Sequence, residues 1–151
     1  MEGLLELIFI YARYDEKLLN PLQKHLSPLK SQGLISNWYD REIVAGMDWE
    51  KEIDKHLNTA SIILLLISPD FIVSSYCYGK EMNRALERHD VGEARVIPII
   101  LRPVIWRDAP LGRLQVLPKN AKPVTTWPNR DEAYFDIAIG IQKVLKEQKK
   151  N

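Results

Sequence analysis

Residues 61–68 read SIILLLIS, a continuous run of apolar side chains of strand length. Such a run indicates a parallel β-strand covered by helices on both faces, because both rows of its alternating side chains require burial. Pro69 ends the run, and Ser74 or Ser75 can cap the helix that follows by accepting unpaired backbone N–H groups. Glu81 then falls in the first two turns of that helix, close to the carboxyl end of a central strand. Ligands of doubly wound folds bind in the crevice at that position.

Strand and helix patterns alternate along the rest of the chain. Apolar runs of strand length predict strands at 4–11, 34–39, 62–67, 96–101 and 123–127. Apolar residues at helical spacing predict helices at 15–32, 49–57, 75–89 and from about 129 onward. This alternation indicates a flavodoxin-like α/β three-layer sandwich with a five-stranded parallel sheet in the order 2-1-3-4-5. We expect residues 1–147 to form a single domain and residues 148–151 to be a charged tail.

The composition indicates a soluble protein with no electrostatic preference for nucleic acid. The 151 residues carry 21 basic and 20 acidic side chains, so we expect neither nucleic-acid binding nor direct membrane binding. No apolar stretch is long enough to span a bilayer, and no signal-peptide pattern opens the chain. The single cysteine, Cys77, excludes an internal disulfide and fits a reducing compartment, so we predict a cytoplasmic location. The three histidines lie on separate predicted helices, so no metal site is expected.

Several protein classes share this architecture, and the motifs argue against three of them. A phosphoacceptor receiver domain needs an acidic pair after the first strand and an aspartate after the third, but these strands lead into YARY at 11–14 and SP at 68–69. A flavodoxin needs a Ser/Thr/Gly phosphate loop after the first strand, which ARY does not supply. The patterns G-x-G-x-x-G and G-x-x-x-x-G-K-[ST] are absent from the sequence, which argues against the usual nucleotide loops.

Four segments resemble the motifs of a known family. Residues 8–15 read IFIYARYD, similar to an opening strand and turn written F-I-S-Y-A-x-x-D but without its serine. Residues 40–49 read DREIVAGMDW, similar to the BB loop pattern D-x-x-I-x-x-G-x-x-W. Residues 63–81, ending SSYCYGKE, resemble the region S-P-x-[FY]…S-x-W-C-x-x-E, with one residue more between the cysteine and Glu81. Together with VIPI at 96–99, these segments identify the chain as a member of the Toll/interleukin-1 receptor (TIR) domain family, of the kind common in bacterial proteins.

The resemblance implies an enzymatic activity. Enzymatic TIR domains cleave NAD+ between nicotinamide and ribose, giving nicotinamide and ADP-ribose or a cyclic isomer, and many act in defence signalling. NAD+ is then the substrate, no cofactor is expected, and Glu81 is the catalytic residue. Nicotinamide leaves as a neutral pyridine, so no general acid is needed, unlike ordinary glycoside hydrolysis with its two carboxylates. Glu81 could hold a ribose hydroxyl and stabilise the positive charge that develops on the sugar, and a helix N-terminus favours its ionised form.

Further substrate contacts are expected beside the first strand and before Glu81, at Tyr11, Ala12, Arg13, Tyr76 and Tyr78. Arg13 could meet a phosphate of the dinucleotide, or it could be an ordinary exposed arginine. Tyr76 and Tyr78 could stack on nicotinamide, or one could pack in the core while the other lies on the surface.

Two residues have simpler interpretations. Glu81 could instead be a helix-surface acid that pairs with Lys80 or Arg84. Cys77 lacks a neighbouring base in the sequence that would activate a nucleophile, so it is interpreted as buried filler.

A different class of function remains open, that of a non-catalytic interaction module. Many TIR domains are adaptors that self-associate through the BB loop, and the resemblance places assembly contacts at Asp40, Ile43, Gly46 and Trp49. The two functions are compatible, because assembly could complete an active site that excludes water. We therefore expect activity to increase with protein concentration.

Overall fold

A parallel sheet forms the centre of the computed structural model, which describes residues 5–40, 48–74, 79–108 and 110–150. The strands in these ranges are β1 (Glu6–Ile10), β2 (Asn37–Tyr39), β3 (Ile62–Ile67) and β4 (Arg95–Ile100). They run parallel in the order β2-β1-β3-β4, so β1 and β3 are central. Every residue of β3 is buried, which confirms that the apolar run is a strand covered on both faces.

Helices cover both faces of this sheet. They are α1 (Glu16–Ser31), α2 (Trp49–Thr59), α3 (Pro69–Val73), α4 (Met82–Asp90) and α5 (Arg130–Lys150). Side chains alternate along a strand, so Leu7 and Phe9 of β1 pack with α1 and α5, whereas Ile8 and Ile10 pack with α2 and α4. The predicted α/β architecture with helices on both faces is confirmed.

The fifth strand predicted at 123–127 is wrong, because this segment forms a 3-10 turn at Val124–Thr126. Two of its backbone N–H groups donate within the turn, to the carbonyls of Pro123 and Val124 at 2.9 and 3.2 Å. A ladder would need those same groups, and neither Pro123 nor Pro128 has an N–H to donate. Among the described residues the sheet therefore has four strands, in the order 2-1-3-4.

One residue occupies the place of the missing strand at the outer edge of β4. The N–H of Leu117 donates to the Pro98 carbonyl at 3.0 Å, and the N–H of Ile100 donates to the Leu117 carbonyl at 2.8 Å. These bonds form a single parallel bridge opposite Ile99. The N–H and C=O of one strand residue point to the same side, so the backbone of Pro98 points away from β3. The N–H that Pro98 lacks therefore removes no hydrogen bond between β3 and β4.

A short helix, α3, follows β3 before the helix predicted at 75–89. Ser68 Oγ caps the short α3 by accepting a hydrogen bond from a backbone N–H at 3.1 Å. Ser74 ends α3, and Ser75 lies outside the described residues. A π-helical turn that includes Glu81 leads into α4. The structure therefore places Glu81 immediately before the first residue of α4.

Candidate functional site at the carboxyl edge of the sheet

Glu81 has no exposed surface, although the helix that it precedes has one face in solvent. The following helix, α4, packs against the core on the α2 side of the sheet. Arg84, one turn further along α4, points outward, where its Nη1 lies 3.1 Å from Glu87 Oε1. A helix-surface acid is therefore the wrong interpretation of Glu81. Its side chain is buried at the start of α4, the helix that connects β3 with β4.

A second buried carboxylate joins the ends of three strands at this edge. Asp15, five residues after β1, is only 1% exposed. It accepts hydrogen bonds from Ser68 Oγ, directly after β3, and from Arg102 Nε at 2.8 Å, two residues after β4. Arg102 also donates to the Asp70 carboxylate through Nη2. We call these four residues, Asp15, Ser68, Asp70 and Arg102, the strand-end network.

Burial and hydrogen bonding have opposite effects on the charge of Arg102 in the strand-end network. Burial lowers the pKa of Arg102, but hydrogen bonds to Asp70 and Asp15 outweigh that effect and raise the pKa above its ordinary value. The guanidinium thus stays charged beside the buried carboxylate. Each oxygen of Asp15 accepts from a different donor, one from Arg102 and one from Ser68. This arrangement suits a stabilising connection between strand ends and leaves Asp15 poorly placed to act as a base.

The sequence analysis missed the strand-end network, although a signal for it exists. The carboxyl ends of neighbouring parallel strands meet at one edge of the sheet. Polar residues that closely follow three such strands, Asp15, Ser68 and Arg102, could have been grouped on that basis. Asp15 was not grouped with the other two residues because it lies five positions beyond the end of β1.

Tyr11 belongs to the opposite face of the sheet from α4. Its ring lies in the core with α1 and α5, and its hydroxyl donates to the Asp40 carbonyl at 2.7 Å. The Gln23 side-chain amide donates to the carboxylate of the same Asp40. The structure therefore separates the Tyr11 side chain from Glu81. Tyr11 and Gln23 instead fix the residue at which the BB loop motif begins.

The other predicted site residues fall into two groups. Ala12 is buried, and Arg13 is exposed in a 3-10 turn, Arg13–Asp15, that leads into α1. Trp49 begins α2, but its side chain is not described. The remaining predicted residues lie outside the described ranges: Ile43, Gly46, Tyr76, Cys77 and Tyr78.

The described part of the chain shows neither a metal-binding cluster nor a membrane-spanning helix. Within residues 5–40, 48–74, 79–108 and 110–150, no group of three or more His, Cys, Asp and Glu side chains is arranged to hold a metal ion. None of the helices in those ranges is long and apolar enough to cross a lipid bilayer.

The chain resembles proteins of a known family over most of its length. The family description "TIR domain" matches residues 8–135, a span that begins within β1 and includes β2, β3, β4 and Glu81. The chain therefore belongs to the TIR domain family.

Two similar proteins add context. The chain is 53% identical over 135 residues to a protein of Sinorhizobium fredii (strain NBRC 101917 / NGR234) named "Uncharacterized protein y4lF". That match covers 89% of this chain and 42% of the relative, so the chain spans less than half of the relative's length. The crystal structure of the TIR domain of the Toll-related receptor TRR-2 from Hydra magnipapillata is 17% identical, with a TM-score of 0.62. It covers 93% of this chain and 97% of that domain, and at this identity the likeness concerns the fold alone.

Proposed function

We propose that this TIR domain cleaves NAD+ at the bond between nicotinamide and ribose, with Glu81 as the catalytic residue. The observation that carries the proposal is the complete burial of Glu81 at the start of α4, the helix that follows β3 and α3 along the chain. Burying an ionisable group costs free energy, so such groups often serve a function when they lie where a fold binds ligands. The resemblance of residues 63–81 to the glutamate region of enzymatic TIR domains supports the same residue. A role in defence signalling is part of this proposal.

The chemistry requires one acidic group. The bond from ribose C1′ to the nicotinamide nitrogen breaks, and its electron pair passes to the nitrogen, so that nicotinamide leaves uncharged. Positive charge develops on the ribose, and the Glu81 carboxylate stabilises it while holding a ribose hydroxyl. Water then attacks C1′ and loses a proton to give ADP-ribose, or an adenine nitrogen attacks to give a cyclic isomer. A site with little water strengthens the attraction between the carboxylate and the sugar.

The other proposed substrate contacts rest on the sequence and on the exposure of Arg13. Exposed Arg13, just beyond β1, pairs with the diphosphate, and Ala12 lies beside it. Tyr76 and Tyr78 provide aromatic faces for nicotinamide. Tyr11 acts indirectly, by holding Asp40 at the start of the BB loop.

Access to Glu81 requires a change at the carboxyl edge, because a fully buried carboxylate cannot meet a ribose hydroxyl. Self-association would supply that change by stabilising an open arrangement of the edge. Three large apolar side chains near the strand-end network, Tyr14, Val73 and Ile105, are 73%, 80% and 82% exposed and offer contacts for a second TIR domain. The rate per molecule should therefore rise with protein concentration. A specific activity that stays constant over a wide concentration range would contradict activation by assembly.

The direct test follows nicotinamide release from NAD+ by the native chain and by Glu81→Ala at high protein concentration. The matched control is Glu87→Ala, which removes an exposed acid from α4, the helix that Glu81 precedes. We expect the Glu81 variant to lose about a hundredfold or more of the activity, by analogy with the removal of other electrostatic groups, and the Glu87 variant to keep it. Equal release by the native chain and Glu81→Ala would refute the catalytic assignment.

A second candidate function, a TIR scaffold without catalysis, has its own structural support. A groove of about 320 Å3 runs between α1 and α5, and its lining includes Phe135 and Ile139, which are 60% and 37% exposed. Exposed apolar grooves commonly mark protein interaction sites. This surface fits homotypic association, with or without enzymatic activity.

A comparison of Phe135→Ser with the native chain distinguishes the two candidate functions, NAD+ cleavage and a scaffold without catalysis. If the groove mediates assembly, sedimentation of the variant should show smaller species at equal concentration. Nicotinamide release by neither native chain nor variant, together with assembly that depends on Phe135, would favour the scaffold. An unchanged oligomeric state in the variant would rule out the groove as the contact.

A further inference from the structure

A pocket lies at the outer edge of β4, where a fifth strand would otherwise cover the sheet. Its volume is about 300 Å3, and its walls come from α4, β4, α5 and the chain at 113–117. Leu117 makes the isolated bridge to β4, and the four residues before it line the pocket instead of continuing a ladder. The absence of a full strand along this described segment therefore leaves space for a ligand.

The pocket wall combines apolar surface with basic side chains. Arg95, Arg113 and His89 line it, and the described lining residues include no Asp or Glu. Apolar side chains such as Val96 and Val144 form much of the remaining wall. Pockets of this kind bind molecules with an apolar body and a polar group that the few donors recognise.

His89 is held as a neutral hydrogen-bond donor. Its Nδ1 accepts the backbone N–H of Val96 at 3.1 Å, so the proton of the neutral ring is on Nε2. Burial lowers the pKa of His89, and Arg113 and Arg95 lower it further against the opposing effect of Asp90. The two arginines thus place positive potential at the ring, which favours an anion there.

Both arginines have nearby acids, but those contacts are weak. Arg113 Nη2 lies 2.8 Å from Asp90 Oδ1, with both side chains 52% exposed. Arg95 Nη1 lies 3.9 Å from Glu147 Oε1, and these side chains are 44% and 64% exposed. Solvent screens exposed ion pairs, so either guanidinium can turn to another oxyanion at small cost. A guanidinium has five N–H donors, and one partner leaves several of them available.

We propose that this pocket binds a small organic anion, with its apolar body against the β4 wall and its oxyanion paired with Arg95 and Arg113. This site lies apart from Glu81: His89 is eight residues further along, which places it about 12 Å away at the helical rise of 1.5 Å per residue. The proposal does not depend on NAD+ cleavage.

The test uses three probes in an NMR titration of backbone amides: phenyl phosphate, phenol and inorganic phosphate. Phenyl phosphate combines the two chemical features, and each of the others has one. We expect saturable shifts with phenyl phosphate, centred on Val96, Val116 and Leu117, and at least tenfold weaker binding of phenol and phosphate. Equal binding of phenol and phenyl phosphate, or no saturable binding of phenyl phosphate, would overturn the proposal.

The variant Arg95→Gln/Arg113→Gln examines the role of the two cations. Both side chains are substantially exposed, so the fold should survive. Affinity for phenyl phosphate should fall by about tenfold or more, the effect of losing a charge-assisted hydrogen bond. Arg84→Gln, an exposed arginine of α4 outside the pocket, is the control and should bind as the native chain does. Unchanged affinity in the double variant would contradict the proposed pairing.

Discussion

At the carboxyl edge of the sheet, the buried Asp15 connects the ends of β1, β3 and β4 through Ser68 and Arg102. At the outer edge of β4, by contrast, the half-buried Leu117 makes an isolated bridge to the strand. The first region is charged, buried and joined to several elements. The second region depends on two backbone hydrogen bonds and one apolar side chain. The comparison indicates that the strand-end network holds the ends of β1, β3 and β4 together, while the β4 edge leaves room for a ligand.

The largest expected effect is in the strand-end network. Asp15→Asn keeps the shape of the side chain but leaves Arg102 beside a neutral group in a buried site. We expect the free energy of unfolding to fall by about 3 kcal/mol, in the range for breaking a buried charged pair. Urea denaturation monitored by circular dichroism measures this change.

The control for that measurement is Asp70→Asn. Asp70 is the second partner of Arg102, but its side chain is 38% exposed. Its replacement should cost about 1 kcal/mol or less, because solvent screens exposed pairs. An equal fall in the free energy of unfolding in both variants would show that the burial of Asp15 does not strengthen its pairing with Arg102.

A smaller effect is expected at the β4 edge. The Leu117 side chain packs directly over Gly140 of α5, where an added Cβ would lie 2.7 Å from Leu117 Cδ2. Leu117→Ala should reduce the free energy of unfolding by about 1–2 kcal/mol, less than a fully buried leucine. The matched comparison is Leu64→Ala in β3, a fully buried site, where about 3 kcal/mol is expected. Similar losses at both positions would show that the β4 edge is as firmly packed as the centre.

The alternation of strands and helices could be predicted from the sequence, because burial on both faces leaves long apolar runs such as that of β3. The fifth strand could not, since local hydrogen bonds and flanking prolines decided the conformation of residues 123–127. Glu81 could be singled out through its motif, but its burial depends on packing between α4 and the sheet. The strand-end network required knowledge of which strands are neighbours, which no local pattern supplies.

The smallest effect concerns the pH dependence contributed by His89 at the β4 edge. Its pKa is lowered in the folded chain from the ordinary value of 6.5, by burial first and then by Arg113 and Arg95, with Asp90 opposing. The unfolded chain therefore binds more protons as pH falls below 6.5, and stability is lost from there down to the folded pKa.

His89→Asn removes this titration, while Asn Oδ1 can still accept the Val96 N–H. Urea unfolding of both chains at pH 7.5 and pH 5.5 should show a larger loss for the native chain. An equal loss in the variant would mean that His89 does not contribute to the acid sensitivity.

The most direct measurement of the central claim is the rate of nicotinamide release by Glu81→Gln, compared with the native chain at equal high concentration. Glutamine keeps the size of the side chain and removes its negative charge, so thermal unfolding can first establish that both samples are folded. We expect Glu81→Gln to release nicotinamide about a hundredfold or more slowly than the native chain, since a neutral amide cannot stabilise the charge that develops on ribose. A folded Glu81→Gln chain that releases nicotinamide at the native rate would contradict it.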